Sequence, residues 1–511
     1  MNRSDVKPSF AAAHTRVWVL WLLIGAATLV VFLTTLEIFP RVTQDGSQII
    51  ELGRVFLDPS TSWSANWLVK ESQPLFPLSY IGSTIQELAY VAGAPSIMGP
   101  RLLAVVGALV ATSFALAWMI SRGTPPWAAL FIALAFLLDP IFSSSYREGR
   151  VDSLAFAAIL SACWLLRLAL IRAENHQRIY WHTFFAGSLA GLSPFLWPTS
   201  LALLPLVLLE FFYLAKFFWQ RTEENRFIYL RSIVAWFISG GIITVAFLLL
   251  PIFINWEYYP ASLAEGARIQ QIASVIKHSI IGMYAVHDPF IIPIILVSLL
   301  VRREPGLIVA IVLALIMMSQ TMIYKMRILY LLPYLIAFVA GACAELSMRS
   351  DVQRRRMVLY SLLGFLLAFN ISITLVKRPM VALHQKNARL PENITRSMEK
   401  AIGSGPQNVF TQEWDMYFAG RALGWNIHKI FGRISPGTPE FEAFLANMDW
   451  VILRTDFLFM KVSPDVLEKS GFELHTKISF PDPDDSAIEL GPFSFRAPTP
   501  IYADVLIYGR K

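Results

Sequence analysis

Five stretches of about twenty residues carry no Asp, Glu, Lys or Arg: Val17–Leu36, Leu102–Ser121, Ser232–Trp256, Pro305–Tyr324 and Met357–Val376. A helix needs about twenty apolar residues to cross a hydrocarbon core of about 30 Å. Shorter apolar runs lie at Gly123–Leu138, Ser153–Leu166, Pro289–Val301 and Ile328–Ala344. Ile179–Leu209 is free of charge apart from His182 and is broken at Ser193-Pro194 and Trp197-Pro198, so it reads as two helices, the second reaching about Ala215. The sum is about eleven spans. Composition agrees: 55% of the 511 residues are hydrophobic and only 15% charged, where a soluble chain carries about 25% charged residues. A soluble enzyme, a disordered scaffold and a coiled coil are excluded.

The net charge of +7 is not a nucleic-acid signature. Residues 1–377 hold 28 Lys+Arg against 20 Asp+Glu, and residues 378–511 hold 15 against 16. The excess sits in the loops. With the N-terminus cytoplasmic, the inner loops carry 17 Lys+Arg in 64 residues and the outer ones 10 in 118, a positive-inside bias. After an odd number of spans the segment 378–511 lies outside. The first run is too long for a cleaved signal peptide and reads as a retained anchor. The only cysteines, Cys163 and Cys343, lie in apolar stretches, so neither a disulfide framework nor a zinc knuckle is expected.

The chain is therefore expected to be a polytopic α-helical membrane protein, residues 1–377, with a C-terminal extracytoplasmic small α/β domain, residues 378–511. Pro74–Ala94 is apolar on one face, interrupted by Gln86 and Glu87, and reads as interfacial helix. The segment 255–288 reads similarly. In the C-terminal part, Thr438-Pro439 and Ser463-Pro464 look like caps followed by proline at the first helical position, with Gly471 ending the second helix. Strand-like runs occur at Asn408–Thr411, Trp450–Arg454, Leu474–Phe480 and Ala503–Tyr508.

Ionisable residues gather at the expected outer ends of the spans. Asp45 follows the first; Arg147, Glu148, Arg150 and Asp152 lie where the third gives way to the fourth; Lys325 and Arg327 lie between the ninth and tenth. Charges near hydrocarbon cost on the order of 2–3 kcal/mol each even on the lenient insertion scale. Each has a bland explanation: a helix cap for Asp45, an ion pair between Arg150 and Asp152, snorkelling for Lys325 and Arg327. Their joint occurrence at one depth favours a site. Glu413, Asp415 and Arg421 in QEWDMYFAGR read as a solvated loop, and the aromatic residues of NWEYYP as a membrane-boundary belt.

An Asp just after the first span, followed by QPLFPLSYIGSTIQELAYVAGAPSIMGPRLLAVV, is similar to the pattern of the C-type superfamily of polyprenyl-phosphate-sugar-dependent membrane glycosyltransferases. That superfamily includes the protein O-mannosyltransferases and the bacterial aminoarabinose transferase. YREGRVDSLAFAAILSACWLL resembles its basic-x-Asp start of the fourth span. GSLAGLSPFLWPTSLALLPLVLL resembles its Gly-rich fifth span, with Trp197 where a lysine is usual. MRILYLLPYLIAFVAG resembles its Arg-Tyr-Leu-Leu-Pro motif, with Ile328 at the Tyr position. The likeness covers roughly residues 15–345.

The resemblance implies sugar transfer from a polyprenyl-phosphate carrier to an acceptor hydroxyl on a lipid, polysaccharide or protein at the outer face, in a bacterial inner membrane, with no nucleic-acid partner. Asp45 would be the carboxylate base, with Asp152 and Glu148 as further candidate catalytic acids. Arg327 and Lys325, with Arg150 and more weakly Lys70 and Arg101, would meet the charge developing on the lipid phosphate. Asp152 would orient the acceptor, share a divalent metal with Asp45, or bind Arg150. No cofactor is demanded, and metal use stays open. A transporter or flippase, a polysaccharide polymerase or ligase, and a non-catalytic assembly subunit are the rival readings.

Overall fold

The computed structural model describes residues 7–40, 42, 44–57, 68–70, 73–74, 80–93, 95–221, 226–254, 288–319, 325–349, 353–411, 415–428, 437–455, 462–480, 488–490, 493–495 and 504–511. The membrane part opens with α1 (Lys7–Leu33), α2 (Gln44–Leu57), a small antiparallel pair β1 (Leu68–Lys70) and β2 (Gln73–Pro74), and α3 (Tyr80–Ala92). It continues with α4 (Met98–Ser121), α5 (Pro126–Leu137), α6 (Pro140–Arg147), α7 (Asp152–Glu174), α8 (Tyr180–Leu196), α9 (Leu204–Arg221) and α10 (Arg226–Ile254). Helices at Ile291–Val301, Pro305–Ser319, Leu332–Met348 and Gln353–Ile371 complete the bundle, the last running on through a π-turn to His384. Among the described residues seven helices are long and apolar enough to cross a membrane, eight if α5 and α6, bent by 55°, count as one span. Ile291–Val301 and Pro305–Met318 are apolar but shorter.

Large apolar side chains such as Phe247, Leu300 and Leu22 are more than 60% exposed along these helices, a surface suited to lipid rather than water. Packing between the helices relies on small residues, as it must where lipid tails are as apolar as leucine. On α4, Ala104, Ala108, Ala111 and Ala115 form a buried stripe, and the Ser153 hydroxyl of α7 donates to the Ala104 carbonyl at 2.8 Å. Between α8 and α10 the backbones nearly touch: a Cβ on Gly187 would lie 2.0 Å from the Phe237 carbonyl oxygen, and one on Gly240 2.0 Å from that of Phe184. At the end of the bundle away from Asp152, Arg122, Arg167, Glu210 and Glu304 form a buried ion-pair network, with Arg122 reaching Glu304 at 2.7 Å.

The C-terminal part is built on a five-stranded sheet in the order β4-β3-β5-β9-β6. Its strands are β3 (Asn408–Thr411), β4 (Asn426–His428), β5 (Trp450–Arg454), β6 (Phe472–Ile478) and β9 (Val505–Arg510), beside a separate hairpin of β7 (Ile488–Leu490) and β8 (Phe493–Phe495). β3 is parallel to β4 and β5, and β9 antiparallel to β5 and β6. Period-two alternation buries both faces: Val409, Ile452, Val505 and Ile507 on one, Phe410, Val451, Leu453 and Tyr508 on the other. The first face is continuous with Ile50 of α2 and Tyr90 of α3, so the sheet layer rests directly on the membrane part. Thr438 caps its helix, accepting from the Phe441 N–H at 3.3 Å, and Gly471, at φ 84°, follows the Pro464–Lys469 helix. Four of the sheet's strands fall on the expected runs, β6 and β9 shifted by two residues; β4 is additional.

Candidate active site

Asp152 is the first residue of α7, and its carboxylate is completely buried. Oδ2 accepts from Arg150 Nε at 2.7 Å and from the Ser145 hydroxyl at 2.9 Å; Oδ1 accepts from the Tyr330 hydroxyl at 2.6 Å. A buried charge survives only when paired and hydrogen-bonded, and this one is both, at a helix N-terminus that itself favours an anion. The reversal from α6 into α7 passes through Glu148, half-buried at the end of α6, and Gly149, whose φ of 80° a side chain would oppose. Gln86 of α3 donates to the Gly149 carbonyl at 2.9 Å. Gln86, which interrupts the apolar face in sequence, therefore fastens α3 to the loop that carries Arg150.

Arg150 lies with its guanidinium 5.5 Å from the Trp197 ring. Where the resembling family has lysine, an aromatic face here receives a cation. Arg327 belongs to a short helical turn, Lys325–Ile328, and hydrogen-bonds the Thr199 hydroxyl on the 3₁₀ turn that Pro198 starts. Three residues on, Tyr330 reaches Asp152. That hydrogen bond brings the two motifs, far apart in sequence, together at one end of the bundle. Tyr330, Ser145, Thr199 and Trp197 are the site residues that charge patterning missed. Tyr330 lies within the quoted RILYLLP motif, but nothing in the sequence says its hydroxyl meets Asp152.

Asp45 sits in the first turn of α2, Lys70 ends β1, and Lys325 opens its turn; their side chains lie outside the described residues. α2 is nonetheless well fixed. A Cβ on Gly53 would lie 2.1 Å from the Ser83 carbonyl oxygen of α3. Glu51 of α2 accepts from Arg54 Nε at 3.0 Å and from the Tyr417 hydroxyl, while Glu87 of α3 takes both Nη atoms of Arg421 at 2.7 and 2.8 Å. Asp415–Leu423 is a helix, so Arg421 is not in a solvated loop as expected; Glu413 lies outside the described residues. Burial opposes the Arg421 charge, but the hydrogen bonds and the charge of Glu87 outweigh it and hold the guanidinium above its ordinary range. Burial pushes the Tyr417 phenol well up, and the Glu51 carboxylate adds to this. Gln86 and Glu87, adjacent in sequence, thus face different partners: one the Arg150 loop, the other the C-terminal layer.

Arg101 is directed elsewhere. Its Nη atoms donate to the Leu36, Glu37 and Pro40 carbonyls at 2.7, 3.1 and 2.6 Å, tying down the chain as it leaves α1. Arg147 is fully buried, donates to the Thr35 hydroxyl at 2.6 Å and lies against the Phe32 and Phe39 rings. A cavity of about 470 Å³ opens beside Val42, between Pro95–Ile97 and the C-terminal helices that carry Glu392, Arg396 and Phe418. Among the described residues no group of three or more His, Cys, Asp or Glu side chains is arranged to hold a metal.

No family model matches the sequence, and no curated protein matches it either. The fold is nevertheless known. The apo structure of ArnT from Cupriavidus metallidurans aligns over 96% of this chain and 98% of its own, at 11% identity and a TM-score of 0.59. The same protein bound to undecaprenyl phosphate aligns over 95% and 98%, also at 11% identity, with a TM-score of 0.58. A variant of the arabinofuranosyltransferase AftD from Mycobacteria aligns over 96% of this chain and 41% of its own, at 13% identity and a TM-score of 0.51. The chain shares the fold of the two ArnT structures across nearly its whole length.

Proposed function

We propose that this chain is a membrane glycosyltransferase that moves a sugar from a polyprenyl-phosphate carrier to an acceptor hydroxyl on the outer face of the membrane. The observation that carries the reading is the end-to-end fold shared with a transferase whose solved structures include one bound to undecaprenyl phosphate. In the reaction the bond between the sugar anomeric carbon and the phosphate oxygen breaks, and its electron pair leaves with the lipid phosphate. The acceptor oxygen forms the new bond and gives up its proton.

Asp45, at the start of α2, takes that proton, and Glu148, at the end of α6, is the alternative base. Arg327, with Lys325 and Lys70, meets the charge that grows on the phosphate. Arg's planar fork suits phosphate oxygens better than lysine's point charge. Asp152 accepts three hydrogen bonds and holds Arg150, which supports a positioning role for both rather than a metal ligand or base. An acceptor lipid, polysaccharide or protein would approach through the cavity beside Val42. The topology that goes with this chemistry has about eleven spans, a cytoplasmic N-terminus and the C-terminal layer outside, in a bacterial inner membrane.

The test uses purified full-length protein in nanodiscs with a panel of radiolabelled polyprenyl-phosphate sugars and added membrane extract. Wild type is expected to release or transfer sugar. Asp45→Asn should lose about 10²–10⁴-fold, the usual contribution of a positioned general base, with unchanged melting, and Arg327→Ala should fall comparably. Transfer that survives Asp45→Asn moves the base to Glu148. If wild type transfers from no donor but moves lipid-linked sugar across proteoliposomes, the transporter reading replaces this one.

A further inference from the structure

The cavity of about 470 Å³ beside Val42 falls within the range of about 300–1,000 Å³ usual for ligand pockets. Glu37 borders it just beyond α1, Ile97 immediately before α4, and the Pro391–Ile402 helix contributes Glu392, Arg396 and Glu399. Elsewhere between the C-terminal layer and the membrane part, charges are satisfied within the protein: Glu51 takes Arg54 and Tyr417, and Glu87 takes Arg421. Around the cavity they are not. Among the described residues no hydrogen bond or ion pair engages the side chains of Glu37, Glu392, Arg396 or Glu399. Arg396 follows Glu392 by four residues and precedes Glu399 by three, spacings that bring helix side chains together, and still it pairs with neither.

Three carboxylates against one guanidinium leave a negative excess in a concave space with apolar walls, which focuses its field on cations. Ile97, Ile394 and Phe418 supply those walls. Arg396 adds a place for an anion, and its planar fork suits phosphate oxygens. The ligand that answers both is a zwitterion. A primary ammonium has three N–H donors, one for each carboxylate, whereas a quaternary ammonium has none. In phosphoethanolamine a two-carbon link joins ammonium to phosphate. Side chains three or four residues apart on a helix stand about 5–6 Å apart at Cβ, so neighbours on the Pro391–Ile402 helix can meet both ends of such a group.

The surroundings point to a lipid as its source. The cavity lies at the ends of α1 and α4, both long and apolar enough to span a membrane. α3, which leads to the lining residues Pro95–Ile97, exposes Leu88 and Val91 by 53% each. Apolar side chains exposed at the boundary suit acyl chains, so a headgroup in the cavity would have its tails alongside.

We propose that this cavity binds a phosphatidylethanolamine-type lipid, with the phosphate on Arg396 and the ammonium among Glu37, Glu392 and Glu399. The lipid bridges the C-terminal layer to the ends of α1 and α4. An acceptor entering beside Val42 would have to displace this headgroup, but the binding itself does not rest on sugar transfer.

The experiment is native mass spectrometry of purified full-length protein in detergent, titrated with dioleoyl phosphatidylethanolamine, phosphatidylcholine or phosphatidylglycerol. Wild type is expected to retain one phosphatidylethanolamine with a Kd about tenfold or more below that of either other lipid, the difference made by charge-assisted hydrogen bonds to the ammonium. Glu392→Gln combined with Glu399→Gln should bring phosphatidylethanolamine to the level of phosphatidylcholine. Arg396→Gln should weaken both zwitterionic lipids alike. These three side chains are exposed, so the variants should melt as wild type does. Wild type that holds phosphatidylcholine or phosphatidylglycerol as tightly overturns the proposal, and so does an ethanolamine preference that survives in the double variant. Displacement of the lipid by an equal concentration of soluble glycerophosphoethanolamine overturns the assignment to a membrane lipid. None of these readouts involves sugar transfer, so the site stands or falls separately from the proposed activity.

Discussion

Replacing Arg421 by Ala should detach the C-terminal layer from α2 and α3 without unfolding either. Arg421 presents two N–H groups to Glu87 across 334 positions of sequence, in a pair whose side chains are 17% and 4% exposed. It also lies 4.3 Å from the Tyr90 ring. Removing one partner of a buried pair costs about 3–5 kcal/mol, largely because the other charge is left uncompensated. At about 1.4 kcal/mol per tenfold, that lowers the docking equilibrium constant by roughly two to three and a half orders of magnitude. Since the Glu87 carboxylate left behind is the larger part of the cost, Glu87→Leu in the same chain should recover most of it. The assay is a double-mutant cycle on docking, read by hydrogen exchange in α2, α3 and the Asp415–Leu423 helix, with sugar transfer measured in parallel. Arg421→Ala should raise exchange at these three helices and leave α7 protected; the double variant should fall back towards wild type. If the two substitutions simply add, the pair does not couple the layers and the reasoning fails.

The other predictions are smaller. Tyr330→Phe removes one of the three hydrogen bonds to the Asp152 carboxylate and should lower stability by about 1.5–3 kcal/mol while leaving Arg150 paired; a loss of transfer far larger than the Tm shift implies would give Tyr330 a direct role. Gly240→Leu puts a side chain where Phe184 O would lie 2.0 Å from its Cβ, and should lower Tm by more than Gly364→Leu, where the space is open; equal shifts would refute close α8–α10 contact. Burial lowers the His428 pKa below its ordinary 6.5, against a smaller opposing effect of Asp449. The unfolded chain then takes up a proton that the folded one resists, so stability is full above about pH 6.5 and declines as pH falls below it. Melting curves from pH 7.5 to 5.5 should show wild type losing more than His428→Gln; parallel curves would refute the assignment.

The sequence by itself determined the elements. Apolar length marks helices, because a chain in hydrocarbon must satisfy its backbone internally, and cap-proline pairs such as Thr438-Pro439 act within one turn. Strands β3 and β5 were legible because alternation is local, whereas β4, three residues long, offers too little of it. The charges at the expected outer ends were legible as a set, and Arg150 with Asp152 as a pair, since a single residue separates them. Only the tertiary structure decided what those charges face. Tyr330 reaches Asp152 from 178 positions away, Arg421 reaches Glu87 from 334, and Arg327 meets Thr199 across 128. Hydrophobicity and propensity are properties of a segment. A buried charge is tolerated only through its partner, and the partner is chosen by how the helices pack.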